Sequence, residues 1–362
     1  MSRKHATLLV LTAALLAVSG DALRASGPGK TADPLAAEID RWSAILAKSP
    51  AADEISADVK KNGGPALERA RQALRDGRRF LALQRLASAR LQIQAAEFLQ
   101  GRPAAERKDV ALFEGEWARV GKSIQADLAP VAPNRFDDVR PAAVRALAES
   151  TFGQVRPYYE ASLDYGRSTM PDSGLLYLGT ALSQRDFSAF CRTLPAVPRR
   201  SPPAVRSLAP ELDALETRLL AAYRPPASID RHVDFIVTSA SLKDARELDA
   251  AGLRYGALLR YLQAVQRLGT LQPPEADRGA LKSKLGEAAA KLDASPSDDS
   301  LARLFVEGAQ ADLEAEGSNG AAASAIVRDV LPLYAAALEP GAPRPPAAPA
   351  AVTVTLVRWP YT

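Results

Sequence analysis

Apolar residues recur along this chain at helical intervals. Phe113, Trp117, Val120, Ile124 and Leu128 follow one another at spacings of four, three, four and four, which puts all five on one face of an amphipathic helix. Helical text of this kind runs from Pro34 to about residue 339. It is broken at Asn62-Gly63-Gly64-Pro65, Pro130–Pro133, Pro195–Pro203, Pro225-Pro226, Pro273-Pro274 and Gly317–Gly320. Proline cannot continue a helix interior and glycine eases a turn, so each break predicts a helix end. Roughly a dozen helices result, each of about 11–12 residues or more.

The two ends depart from this pattern. Leu8–Val18 is an apolar run of 11 residues behind Arg3 and Lys4, and it closes on Ser19-Gly20. That order of basic, apolar and small residues predicts a secretory signal peptide over 1–20. The run is short of the ~20 residues that a bilayer span needs; the alternative is an uncleaved anchor. No Cys stands near the cleavage point, which excludes a lipoprotein anchor. Residues 21–32 read as a flexible leader. No later apolar stretch is expected to reach membrane length, so no integral span remains after cleavage, and the expected location is periplasmic or secreted. At the other end, 340–350 is a Pro/Ala linker of semi-rigid, extended type. In 351–362, β-branched residues alternate from Val352 to Val357 and predict a short extended strand. One strand cannot satisfy its own backbone groups. It adds to a partner's sheet, anchored by Trp359 and Tyr361, or it lies on the chain's own helices or takes no fixed structure.

Between the ends the chain repeats itself. Gly77-Arg-Arg-Phe-Leu-Ala-Leu-Gln-Arg-Leu-Ala-Ser-Ala89 and Gly252-Leu-Arg-Tyr-Gly-Ala-Leu-Leu-Arg-Tyr-Leu-Gln-Ala264 share a pattern at an offset of 175, and Leu67, Ala70 and Arg71 match Leu242, Ala245 and Arg246 at the same offset. Ile55 and Val59 match Ile229 and Val233 at 174, a one-residue shift assigned to a connecting loop. A tandem duplication follows, with one helical lobe at 33–203 and another at 204–339. Each repeated glycine ends a helix. Ala82, Leu86 and Ala89, like Ala257, Tyr261 and Ala264, then present a small–large–small face that lets a paired helix approach. The fold class is all-α: antiparallel hairpins in an α-solenoid or two-lobed array, with a short C-terminal extended strand.

These hairpins resemble tetratricopeptide (TPR) repeats. The small–large–small spacing after a turn glycine looks like a second TPR helix, and Leu178-Gly179 with Gln184-Arg-Asp-Phe187 looks like a first helix and its turn. The resemblance covers three hairpins, about 90 residues, each match is partial, and the units do not recur at the ~34-residue TPR period. What it implies is a helical scaffold that binds peptides in a groove.

Composition narrows the function. Only 6% of residues are aromatic, which argues against a large β-sandwich. Without residues 1–20 the chain keeps 44 basic and 42 acidic residues, too balanced for a nucleic-acid binder. Cys191 is the single cysteine; it reads as a small buried apolar residue, or else as a site for an intermolecular bond. His232 is the one histidine beyond the signal, so neither a zinc site nor a Ser–His–Asp triad is expected. Gly29-Lys30-Thr31 mimics the end of a P-loop but has Arg24 where that motif needs its first glycine. Glu114 and Glu116 beside Trp117 suggest glycan chemistry, yet residues two apart do not share a helix face.

Arg79 and Arg85 recur as Arg254 and Arg260. Four such forks line a groove for an anionic ligand, or else pair with acids on neighbouring helices. Tyr158 and Tyr165 share a face, for packing or for ligand stacking. The expectation is an exported, non-enzymatic scaffold that holds a protein or peptide partner of the cell envelope, without cofactor or metal. The alternatives are a glycan-acting envelope enzyme with one acidic catalytic residue and a carrier of a small apolar ligand.

Overall fold

The computed structural model describes residues 33–49, 54–132, 134–168, 170–195, 200–224, 229–275 and 277–338. These are 79% helical and contain no strand. The helices are α1 (Pro34–Lys48), α2 (Glu54–Arg75), α3 (Arg79–Gln100), α4 (Val110–Leu128), α5 (Ala142–Gly153), α6 (Val155–Arg167), α7 (Pro171–Thr193), α8 (Ala209–Ala222), α9 (His232–Ala250), α10 (Arg254–Thr270), α11 (Arg278–Ala294), α12 (Ser300–Glu314), α13 (Ala321–Ala325) and α14 (Leu331–Leu338). A 3₁₀ turn (Ile229–Arg231) precedes α9, and a π-helical turn (Ile326–Val330) joins α13 to α14. The signal and leader segments, the 340–350 linker and the tail with Trp359 and Tyr361 lie outside the described residues.

Local sequence accounts for several helix ends. Asp109 caps α4, its carboxylate accepting the N–H groups of Ala111 and Leu112 at 2.8 and 3.1 Å. Asp277 does the same for α11 at 2.8 and 3.0 Å. Phe113, Val120 and Ile124 are buried, with Trp117 and Leu128 packed beside them, as the spacing predicts. The Asn62–Pro65 break is corrected: α2 runs through it with Pro65 inside. A proline interior to a helix costs about 3 kcal/mol, so packing must offset it. Gly63 supplies the contact, lying so near α1 and α3 that an added Cβ would meet Leu46 at 3.2 Å and Ile93 at 3.3 Å. The turn expected at Gln184–Phe187 is also absent, because α7 continues to Thr193.

Two three-helix units, α1–α2–α3 and α8–α9–α10, share their details. Gly77 and Gly252 both have positive φ, 74° and 78°. In each turn the following residue donates back into the preceding helix, Arg78 to Ala73 at 2.8 Å and Leu253 to Leu248 at 2.9 Å, a Schellman ending. Arg71 on α2 reaches Asp40 and Ser43 of α1 at 2.8 and 3.0 Å. Arg246 on α9 reaches the matching Asp213 and Glu216 of α8 at 2.9 and 2.7 Å. The small–large–small faces of α3 and α10 are fully in the core. The one-residue shift for Ile55 and Val59 is corrected. The helix is unbroken from Val59 to Leu67 in α2 and from Val233 to Leu242 in α9, so no loop lies there to absorb it, and at the hairpin offset Ile55 and Val59 fall opposite Asp230 and Asp234.

The units do not form separate lobes side by side. Helix α5 of the first half packs on α10 of the second, and α12 of the second packs on α3 of the first. The N–H of Gly256, at the start of α10, donates to Glu149 Oε2 of α5 at 2.9 Å. The N–H of Leu81, at the start of α3, donates to Glu307 Oε2 of α12 at 2.8 Å. Leu81 and Gly256 are 175 residues apart, and Glu149 and Glu307 are 158 apart. The contact is thus reciprocal, and one hydrophobic cluster runs through both halves.

Close approach at this crossing requires glycine. A Cβ added at Gly256 would come within 2.8–3.0 Å of the Ser150 and Glu149 backbone. Gly256→Ala is therefore expected to lower stability by roughly 1–3 kcal/mol through overpacking. Gly286→Ala in α11, with nothing within 4 Å, should gain up to about 1 kcal/mol from helix propensity. Thermal unfolding of both variants checks this; equal Tm values would refute the packing account.

Candidate functional site

Each of the four repeated arginines turns to a partner within its own half. Arg79 makes a forked pair with Asp33, the N-cap of α1, and that hydrogen bond holds the Asp33 carboxyl below its ordinary value. Arg254 pairs with Asp249, which also accepts from Ser207 and Leu208 at 2.7 and 3.2 Å. Arg85 donates to the Arg69 carbonyl at 3.0 Å. Arg260 stands 3.9 Å from Asp244, whose carboxyl is raised by burial against the pull of that guanidinium. These residues stitch neighbouring helices together.

The tyrosines do meet, through a residue that sequence reasoning missed. Tyr177 of α7 lies 4.5 Å from the Tyr165 ring and 5.9 Å from Tyr158, centroid to centroid. Burial raises the phenol pKa of both Tyr158 and Tyr177. Tyr159 faces the other way and stacks on Trp117 at 4.7 Å. His232 is exposed, 2.7 Å from the Tyr223 hydroxyl. Glu114 pairs with Arg167 at 2.8 Å. Glu116 pairs with Arg102 and Arg119 and is lowered first by its hydrogen bond to Arg119. Cys191 is buried, which pushes its thiol up. Among the described residues, no group of three or more His, Cys, Asp or Glu is placed to hold a metal ion.

A cleft of about 300 Å³ opens where the halves cross, lined by Phe80, Asp293, Asp298, Asp299 and Arg303 among others. Its acids have structural partners. Asp298 accepts the N–H groups of Ala142 and Ser300 at 2.7 and 3.2 Å. Asp299 accepts from the Tyr334 hydroxyl at 2.9 Å. Asp293 pairs with Arg303 at 3.1 Å. Glu307, 4% exposed, is not among the lining residues; burial pushes its pKa up to about 7, opposed by the Leu81 N–H and by Arg303. Burial likewise raises Glu149, opposed by Arg145. The arrangement holds buried acids against helix starts rather than presenting them to a substrate. One sequence signal pointed to it: Arg145-x-x-x-Glu149 recurs as Arg303-x-x-x-Glu307.

The outer surface is less fully satisfied. Ile229, Val233 and Ile236 follow one another at spacings of four and three and are 60%, 53% and 41% exposed; Leu220, on neighbouring α8, is 57% exposed. A second feature is a shallow groove between α1 and α2 of about 390 Å³, lined by Ser43, Leu46, Ala47, Lys60, Gly64, Leu67 and Arg71. One expectation about membranes is corrected. Ala321–Leu338 is long and apolar enough to cross a membrane by length and composition, at a mean hydropathy of 1.4. It is 39% buried in the fold, with Ile326, Val330, Tyr334 and Ala337 in the core.

Comparison with known proteins gave no match to any family model, any curated protein or any solved structure.

The Glu307 carboxyl sets a pH dependence. A pKa above the unfolded value means a contribution that is fully present below about pH 4.5 and is lost as pH rises through about 7. Glu307→Gln removes that dependence while leaving an acceptor for the Leu81 N–H. Relative to the variant, the wild type should gain stability on acidification over this window, at about 1.4 kcal/mol per unit of pKa difference. Denaturant midpoints measured from pH 4.5 to 8 check it; parallel curves would show that Glu307 is not strained by ionisation.

Proposed function

We propose that this chain is an exported, non-enzymatic helical scaffold that holds a protein partner in the cell envelope, periplasmic or secreted, through its helical surface. The observation that carries this is the strip Ile229, Val233 and Ile236, with Leu220 also exposed on the neighbouring helix α8. Fully burying one such side chain is worth about 1.5–3 kcal/mol, and clustered exposure on adjacent elements marks interaction surfaces. The basic–apolar–small order of residues 1–20 supports export. The partial likeness to TPR hairpins supports peptide recognition, within an array of helical hairpins that arose by duplication. The 351–362 segment, with Trp359 and Tyr361, offers a second contact by strand addition.

The rival reading, a glycan-acting enzyme with one acidic residue, draws on the raised pKa of Glu307. Against it stands the placement of that carboxyl on the Leu81 backbone, away from the cleft lining.

Partner capture from the native envelope tests the proposal. Full-length chain is compared with Val233→Glu/Ile236→Glu and with a chain ending at Glu339. The double variant should fold with unchanged helicity and lose the partner, with at least a tenfold drop in recovery. Identical capture by all three chains would remove both surfaces from consideration.

A further inference from the structure

The two halves provide an internal comparison at the groove between α1 and α2. The ion pairs Arg71–Asp40 and Arg246–Asp213 fix the alignment of the two units. Under that alignment Leu46 and Leu67 correspond to Leu219 and Leu242, all four buried. Four groove positions differ. Ser43, Ala47, Lys60 and Gly64 in the first half stand where the second has Glu216, Leu220, Phe235 and Ser239.

The substitution at Lys60 decides the shape. In the second half the Phe235 ring packs against the core and stacks on Tyr223, 4.3 Å between centroids. In the first half no ring among the described residues occupies that place, and a groove is present there. Gly64 adds room, since a Cβ there would have only Leu46 near it, at 4.0 Å. The floor is therefore apolar and shaped at a position where the fold elsewhere seats a phenyl ring.

Charge specifies the rest of the occupant. Arg71 divides its guanidinium among Asp40, Ser43 and Glu68. Lys60 makes no ion pair or hydrogen bond among the described residues. It is the cation left to meet a ligand at this groove, whose volume falls at the low end of the ~300–1,000 Å³ usual for ligand sites.

We propose that the α1–α2 groove is a binding site for an apolar ring bearing a carboxylate, with the ring in the place that Phe235 fills in the second half and the carboxylate on Lys60. A free aryl carboxylate and a peptide ending in an aromatic residue share this chemistry. The site is separate from the α9 strip, so it stands or falls independently of the partner-binding proposal.

Calorimetric titration of the full chain tests it with three probes: N-acetyl-phenylalanine, its primary amide, and the tetrapeptide Ala-Ala-Ala-Phe. The acid should bind saturably and the amide at least tenfold more weakly. Lys60→Gln should bind acid and amide alike. Lys60→Phe, which copies the second half, should bind neither while keeping its circular dichroism and Tm. Tighter binding of the tetrapeptide than of the N-acetyl acid supports the site with a peptide terminus as its source; the reverse order supports it with a free carboxylate. No saturable binding by the wild type, or undiminished binding by a folded Lys60→Phe chain, would overturn the proposal.

Discussion

Two buried glutamates hold the halves of this molecule against each other. The first N–H groups of a helix have no partner inside it, and a buried start must find acceptors elsewhere. Here α3 and α10 each obtain one from the opposite half, Glu307 for Leu81 and Glu149 for Gly256. The positive end of the helix dipole favours an anion at this position, while burial disfavours the charge. Burial raises both carboxyls above their ordinary value, against the pull of the backbone N–H groups and of the neighbouring arginines. Removing such an acceptor leaves a buried N–H unsatisfied, at a cost of about 1–3 kcal/mol.

The exchange has architectural consequences. Each half lends a helix to the other, so one hydrophobic core runs through both. In a solenoid a repeat touches only its neighbours; here α12 returns to α3 across 226 residues of sequence. Glu149 and Glu307, the buried acids of this crossing, are engaged at helix starts. On the outer surface the two halves have diverged. The second exposes aliphatic side chains on α8 and α9, whereas the first keeps an open groove beside Lys60.

Much of the local structure was legible before any coordinates. The α4 face, the turns at Gly77 and Gly252 and the recurrence of Arg71 as Arg246 rest on spacings of a few residues, and the structure has them. The repeated Arg79, Arg85, Arg254 and Arg260 were visible as a set, but their partners were not, because a guanidinium takes whichever acceptor the neighbouring helices bring near. Tyr177 escaped notice because it lies on a different helix from Tyr158 and Tyr165. The carboxylate pair was overlooked because its repeat, Arg-x-x-x-Glu, has a different offset from the hairpin repeat.

Helicity, the amphipathic faces and the internal repetition belong to the amino-acid order, since periodicity and turn chemistry act within one or two turns of the chain. Two other matters were settled by packing between distant segments. One is the continuation of α2 through Asn62–Pro65, where contact with Leu46 and Ile93 outweighs the local cost of proline. The other is the crossing of α5 and α12, where a carboxylate finds a helix start more than a hundred residues away. The first leaves no mark in local spacing, and the second leaves only a repeated Arg-x-x-x-Glu that does not name its partner, because the forces responsible act only once the helices are in contact.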